Sequence, residues 1–236
     1  MITVSGLTVP PIIVRIVSAL VLAPIVLVCV YFGDIWFQGL VGLATVFAVF
    51  EWLKLCRSDG HFGSPGRLER VSWLGLGSAY IIVSCLSLGL MRGDDETGRN
   101  IVFFLLMAVW LADTGAYLSG TLIGGPKLAP RISPKKTWAG LIGALVASAG
   151  AGGSFFWLFP DHSLFELCLI GSAIGVISQG GDLVESLAKR RFDVKDSGSL
   201  IPGHGGILDR IDGLMAASLF AALVSGKIFG GNSLWF

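Results

Sequence analysis

The sequence predicts an all-α integral membrane protein, a polytopic helical bundle of about seven transmembrane helices. Three observations predict it. Of 236 residues, 53% are hydrophobic and only 14% charged, whereas an average soluble domain carries roughly 25% charged residues. A surface so short of charge does not hold a globule in water, and a mean hydropathy of +0.78 agrees. The apolar residues gather into stretches of about 20, the length that crosses a bilayer core. Lysine and arginine then concentrate in every second connecting segment.

The predicted spans are 12–32, 35–55, 71–91, 101–120, 138–159, 164–183 and 207–229. The first has only Arg15 as a basic flank, and its apolar run is too long for a signal peptide, so it reads as a retained helix. The fourth carries Asp113 inside the apolar run, and the last two carry carboxylates at their edges. Residues 1–100 hold about three helices, and residues 101–236 hold about four together with the chemistry-bearing motifs. Segment 51–70 carries Lys54, Arg57, Arg67 and Arg70. Segment 121–137 carries Lys127, Arg131, Lys135 and Lys136, and segment 184–206 carries Lys189, Arg190, Arg191 and Lys195. Basic residues resist translocation, which places these three segments and the N-terminus in the cytoplasm.

The 33 glycines exceed the average share of about 7%. Small residues let transmembrane helices approach closely, and the glycine faces also permit a homodimer. Cys29, Cys56, Cys85 and Cys168 lie far apart, with neither zinc nor redox spacing, and read as packing thiols. A net charge of +1 gives no footprint for nucleic acid. Disorder, a collagen repeat and a disulfide-rich secreted module are excluded by the same composition.

The charged residues cluster between Gly180 and Gly213. Asp182, Asp209 and Asp212 border or enter apolar spans, where an unpaired charge costs about 2.5–3.5 kcal/mol. Asp209 and Asp212 are three apart and share a helix face, as do Asp182 and Ser186 at four apart. Two such helix ends facing each other make a hard-oxygen site of the kind Mg²⁺ takes, with one or two carboxylates plus substrate phosphates. The alternative is a structural ion-pair network of Asp209, Arg210, Asp212 and Lys189. The turn Pro202-Gly203-His204-Gly205-Gly206 lets backbone approach a ligand and can form an anion nest, with His204 as a hydrogen-bonding side chain. His204 lacks the partner ligands of a zinc site.

Asp113, Tyr117 and Gly120 share one helical face, and an intramembrane carboxylate is a functional hypothesis by default. A hydrogen bond to Thr114 or to a facing helix is the competing reading. In Ser133-Pro134-Lys135-Lys136-Thr137-Trp138 the two lysines suit phosphates as point charges, or serve topology alone. Gly124-Gly125-Pro126-Lys127 does not have the spacing of a P-loop. Together these features suit Mg²⁺-dependent chemistry at the cytoplasmic membrane face, with a soluble nucleotide and a bilayer lipid as substrates.

Ser186-Leu187-Ala188-Lys189-Arg190, Lys195-Asp196 and Pro202-Gly203-His204-Gly205-Gly206-Ile207-Leu208-Asp209-Arg210-Ile211-Asp212 resemble the signature of the phosphatidate cytidylyltransferases (CDP-diacylglycerol synthases). Ala112–Tyr117, Ser133–Trp138 and Gly181–Ser186 resemble further blocks of that family. The likeness covers roughly 105–225, while the first hundred residues match only as generic spans. Ala139 stands where many members carry Glu. The resemblance implies that CTP and phosphatidic acid give CDP-diacylglycerol and diphosphate in phospholipid biosynthesis, in the bacterial inner membrane. It implies Mg²⁺, with a second cation such as K⁺, held by Asp182, Asp209 and Asp212. Lys135, Lys136, Lys189 and Arg190 would bind phosphates. Lys195, His204, Gly205 and Gly206 would close the pocket over the triphosphate, and Ser133, Thr137 and Ser186 would supply hydroxyls. The competing functions are a CTP-dependent lipid-alcohol kinase of the polyprenol or dolichol type, a CDP-alcohol phosphatidyltransferase, and an ion-coupled transporter. The second lacks its Ala-Arg after Asp212-Gly213, and the third lacks an internal repeat.

Overall fold

The structure is a computed structural model that describes residues 2–4, 7–9, 11–58, 66–201 and 205–224. Among these, seven α-helices account for nearly all regular structure. A short antiparallel pair, β1 (Ile2–Val4) and β2 (Leu7–Val9), precedes them. The helices are α1 (Pro11–Phe32), α2 (Asp34–Cys56), α3 (Arg67–Arg92), α4 (Glu96–Leu122), α5 (Trp138–Ser154), α6 (Leu164–Arg191) and α7 (Leu208–Val224). Helices α2 to α6, with α5 counted through its following 3-10 turn, are long and apolar enough to cross a membrane. The apolar stretch Ile16–Phe32 of α1 is shorter, and α7 has 17 described residues. Residues 225–229 of the last expected span lie outside the described residues.

Capping residues set the helix starts. Asp95 caps α4 by accepting the Gly98 N–H at 2.7 Å. Thr137 caps α5 by accepting the Gly140 N–H at 3.0 Å. Ser163 and Glu166 form a reciprocal capping box at the start of α6. Two expected boundaries shift. Helix α6 runs on to Arg191 rather than stopping near 183, because hydropathy marks the bilayer and not the helix end. Its 28 residues span about 42 Å at 1.5 Å per residue, well beyond a hydrocarbon core of about 30 Å. The protruding turns carry Glu185, Ser186, Lys189 and Arg190. The basic segment after α4 is also more than a loop: β3 (Lys127–Ala129) and β4 (Ser133–Thr137) pair as an antiparallel hairpin.

Helices α4, α5, α6 and α7 pack in sequence, and α7 also lies against α3. Glycines allow the close approaches. A Cβ on Gly181 would stand 2.6 Å from the Asp212 carbonyl, so only glycine lets α7 sit this near α6. One apolar core gathers Phe104, Leu105, Phe155, Leu167 and Ala217. A second, nearer the basic end, gathers Trp52, Leu55, Ile81, Phe192, Leu208 and Met215. The outer helix faces leave Leu20, Val46, Leu86, Ile142 and Leu169 exposed, as a lipid-facing surface requires. All four cysteines are free.

The two ends of the bundle are chemically distinct. At one end, buried Arg92 donates to Val30 O at 2.7 Å and Tyr31 O at 3.2 Å, satisfying the last carbonyls of α1. At the other end lie the basic segments. There Arg191 of α6 pairs with Glu69 of α3 at 2.5 Å, and Arg190 donates to Ile132 O at the hairpin turn at 3.2 Å.

Candidate active site

A cavity of about 670 Å³ opens at the basic end, among α4, the β3–β4 hairpin, α5, α6 and α7. Its wall carries Asp113, Asp182, Asp196, Asp209 and Asp212, together with Lys127, Lys135, Lys136, Lys189 and Arg210. Helix α6 places Asp182 and Lys189 two turns apart on one face. Helix α7 places Asp209 and Asp212 opposite them. The hairpin carries Lys135 and Lys136 over the opening.

Two polar chains organise this wall. In the first, Gln179 of α6 donates to Asp113 Oδ1 of α4 at 2.9 Å. Lys136 Nζ donates to Gln179 O at 3.0 Å and pairs with Asp182 Oδ2 at 2.9 Å. Ser186 Oγ donates to Asp182 Oδ1 at 3.1 Å. Asp113 therefore meets a facing helix through Gln179, while Thr114 bonds its own helix at Trp110 O. In the second chain, Lys189 Nζ reaches Asp209 Oδ1 at 2.8 Å and Glu185 Oε1 at 3.4 Å. Asp209 Oδ2 also accepts Ser197 Oγ at 2.9 Å and the Gly206 N–H at 2.8 Å.

Asp212 differs from both. It accepts a hydrogen bond from the neighbouring Gly213 N–H at 2.8 Å. Asp182 and Asp113 lie close enough to oppose its charge. Glu185 adjoins it from α6, buried, with neither oxygen accepting a hydrogen bond from the protein.

The expected site residues divide accordingly. Asp182, Lys189, Asp209, Asp212, Lys135, Lys136 and Thr137 come together on the cavity wall. Ser186 stands behind Asp182 as its hydrogen-bond donor. Ser133 is held at the start of β4 opposite Ala129, Arg190 braces the hairpin, and Lys195 is exposed on the loop after α6. Gly205 adopts φ +84°, and a Cβ there would come within 2.8 Å of Asp209. His204 lies outside the described residues.

The glycine turn is engaged from within. Gly206 donates to Asp209, and the next two N–H groups, of Ile207 and Leu208, donate to Glu51 of α2 at 3.1 and 2.9 Å. Glu51 is 6% exposed, and Cβ atoms on Gly198 or Gly206 would collide with its carboxylate. Sequence reading missed Glu51. The available signal was an acidic residue inside the apolar run 35–55, the same signal that drew attention to Asp113. Gln179 was missed because a neutral amide in a span carries no comparable mark.

Among the described residues no group of three His, Cys, Asp or Glu is placed to hold a metal by itself. Mg²⁺ needs no such cage, since it takes one or two carboxylates and completes its shell with substrate phosphates and water. Asp182 and Asp212 offer that hard-oxygen donor set. Asp182 would share its oxygens with Lys136 and Ser186, and Asp209, with Lys189, Ser197 and Gly206 on it, joins only by releasing one of them.

The cytidylyltransferase family matches residues 61–227. A phosphatidate cytidylyltransferase of Brucella suis is 45% identical over 157 residues, covering 66% of this chain and 58% of that protein. The chain thus aligns with little more than half the length of the Brucella relatives. A phosphatidate cytidylyltransferase of Rickettsia typhi is 33% identical over 209 residues, covering 85% of this chain and 86% of that protein. One from Rickettsia conorii is 33% identical over 218 residues, with 89% of each chain covered. The chain belongs to the cytidylyltransferase family.

Proposed function

We propose that the protein is a phosphatidate cytidylyltransferase that converts CTP and phosphatidic acid to CDP-diacylglycerol and diphosphate. The observation that carries this reading is the position of Asp212. It lines the polar cavity on one side and an apolar groove between helices on the other. A reaction between a water-soluble nucleotide and a bilayer lipid needs such a junction. The relatives' names, phosphatidate cytidylyltransferase, supply the lipid and the cytidylyl group.

In the reaction a phosphate oxygen of the lipid forms a bond to the α-phosphorus of CTP. The bond from that phosphorus to the β-phosphate bridge breaks, and diphosphate leaves. Such transfers rest on positioning and charge stabilisation. Lys135, Lys136 and Lys189 border the space for phosphates. The five carboxylates on the wall are matched by five cations, so a triphosphate entering it needs added positive charge. Asp182 and Asp212 would hold Mg²⁺ there, with Asp209 behind them and K⁺ a candidate second cation. Bound Mg²⁺ would neutralise charge on the transferring and leaving phosphates. The basic segments favour a cytoplasmic site. Gly39 and Gly42 on α2 have nothing within 4 Å of a built Cβ, which leaves a small-residue face for a second copy in a homodimer.

The test is a product assay with phosphatidic acid, Mg²⁺ and CTP labelled at the α- or γ-phosphorus. Entry of α-label into the lipid with γ-label released as diphosphate is the expected result. Entry of γ-label with release of CDP identifies a lipid kinase instead. No transfer by folded protein returns the carboxylates to an ion-transport role.

A further inference from the structure

The apolar groove behind Asp212 has a volume of about 550 Å³ and runs between α2, α3, α6 and α7, within the size range of small-molecule sites. Its outer rim carries Leu68 and Leu76 of α3, 81% and 74% exposed, with Leu76 inside the apolar stretch of that helix. Its wall is rigid. Trp52 Nε1 donates to Trp73 O at 3.0 Å, and Gly77 leaves no room for a side chain against the Trp52 indole. Buried Glu185, with no protein hydrogen-bond donor, stands beside Asp212 at the inner end. Among the lining residues, Asp212 alone is shared with the polar cavity.

We propose that this groove holds one acyl chain of the lipid substrate, with the second chain left in the bilayer, and that it sets chain-length preference. The proposal rests on the functional reading above. Three features select the occupant. The wall is mostly apolar, with Trp52, Leu68, Trp73, Leu76, Ile81 and Met215, which suits a hydrocarbon chain. Its polar side chains include the carboxylates of Glu69, Glu185 and Asp212, and the nearby cations are already paired, Arg191 with Glu69 and Lys189 with Asp209 and Glu185. An anionic headgroup is therefore disfavoured in the groove itself. The groove also reaches Asp212, which it shares with the lysine-bearing cavity, so a chain lying in it would place its phosphate near that residue.

The experiment uses the full chain in mixed micelles with phosphatidates of graded acyl length. Val184 and Ser72 line the groove from α6 and α3 and are exposed, so Val184→Trp and Ser72→Trp fill it without displacing core atoms. In the wild type, kcat/KM should rise about fourfold per methylene, then level once the groove is full. Each Trp variant should raise KM for a long-chain lipid about tenfold. KM for CTP, and turnover of a dihexanoyl lipid, should stay unchanged. The ratio of variant to wild type on each lipid cancels differences in micelle partitioning. Equal effects of both variants on short and long chains, or no effect on either, overturn the proposal while leaving the functional reading intact. A wild type that forms no CDP-lipid from any phosphatidate overturns the functional reading, and the proposal with it.

Discussion

Glu51 of α2 accepts the backbone N–H of Leu208, the first residue of α7, at 2.9 Å. A helix N-terminus carries unsatisfied N–H groups and partial positive charge, and here a carboxylate from a helix distant in sequence satisfies both. Asp209 is the next residue of the same helix, and Asp212 lies about one turn further along. The direction in which α7 enters the cavity is thus fixed by a residue that touches neither cavity nor groove.

Removing that anchor should cost stability and turnover together. Glu51→Ala leaves Ile207 N and Leu208 N short of an acceptor, at about 1–3 kcal/mol for each buried group left unsatisfied. The expected outcome is a lowered Tm in detergent and a lower kcat, with Glu51→Asp recovering part of both. An unchanged kcat in folded Glu51→Ala would show that α7 is held by its apolar packing alone.

The two carboxylates proposed for Mg²⁺ should behave unlike Asp209. Asp182→Asn and Asp212→Asn should cut turnover by about 10²–10³-fold, the scale of losing one transition-state stabiliser, and should raise the Mg²⁺ concentration needed for half-maximal rate. Asp209→Asn should chiefly lower Tm, because Asp209 accepts from Lys189, Ser197 and the Gly206 backbone, whereas Asp182 accepts from two side chains, Lys136 and Ser186. Mg²⁺ titration of the three variants separates these roles.

Lys189→Met should be more harmful than its single positive charge suggests. Lys189 lies within 2.8 Å of Asp209 and 3.4 Å of Glu185. Its loss leaves two carboxylates, both largely buried, without their cation, a change of about 3–5 kcal/mol. Detergent-resistant folding should fall sharply, and Lys189→Arg should restore most of it.

Arg92 provides a control at the opposite end. Arg92→Ala removes bonds to Val30 O and Tyr31 O, each worth about 1.5–3 kcal/mol for a charged donor. Tm should fall while KM for CTP stays at the wild-type value, since no part of either cavity is touched.

Topology is open to direct labelling. Ser199 is exposed on the loop between α6 and α7, and the four native thiols are buried or half-buried. A membrane-impermeant maleimide should modify Ser199→Cys from the cytoplasmic side only. Modification from the opposite side would invert the bundle.

Local pattern in the sequence determined the helix count, the segregation of basic residues to one end and the cluster of Asp182, Asp209, Asp212, Lys135, Lys136 and Lys189. Hydropathy over about 20 residues and helical spacing are properties of neighbours, so they survive without a fold. The family's signature is legible for the same reason, since its residues lie close together along the chain. Only the tertiary structure decided which donors remain for a ligand. The turn from Pro202 to Gly206 reads as an anion nest, yet the Gly206 N–H is taken by Asp209, and the next two N–H groups, of Ile207 and Leu208, by Glu51, 157 positions from Leu208. It also decided that Asp212 stands between a polar cavity and an apolar groove built from α2, α3, α6 and α7. Such appositions arise where helices far apart in sequence pack, and periodicity along one helix does not specify which partner its face will meet.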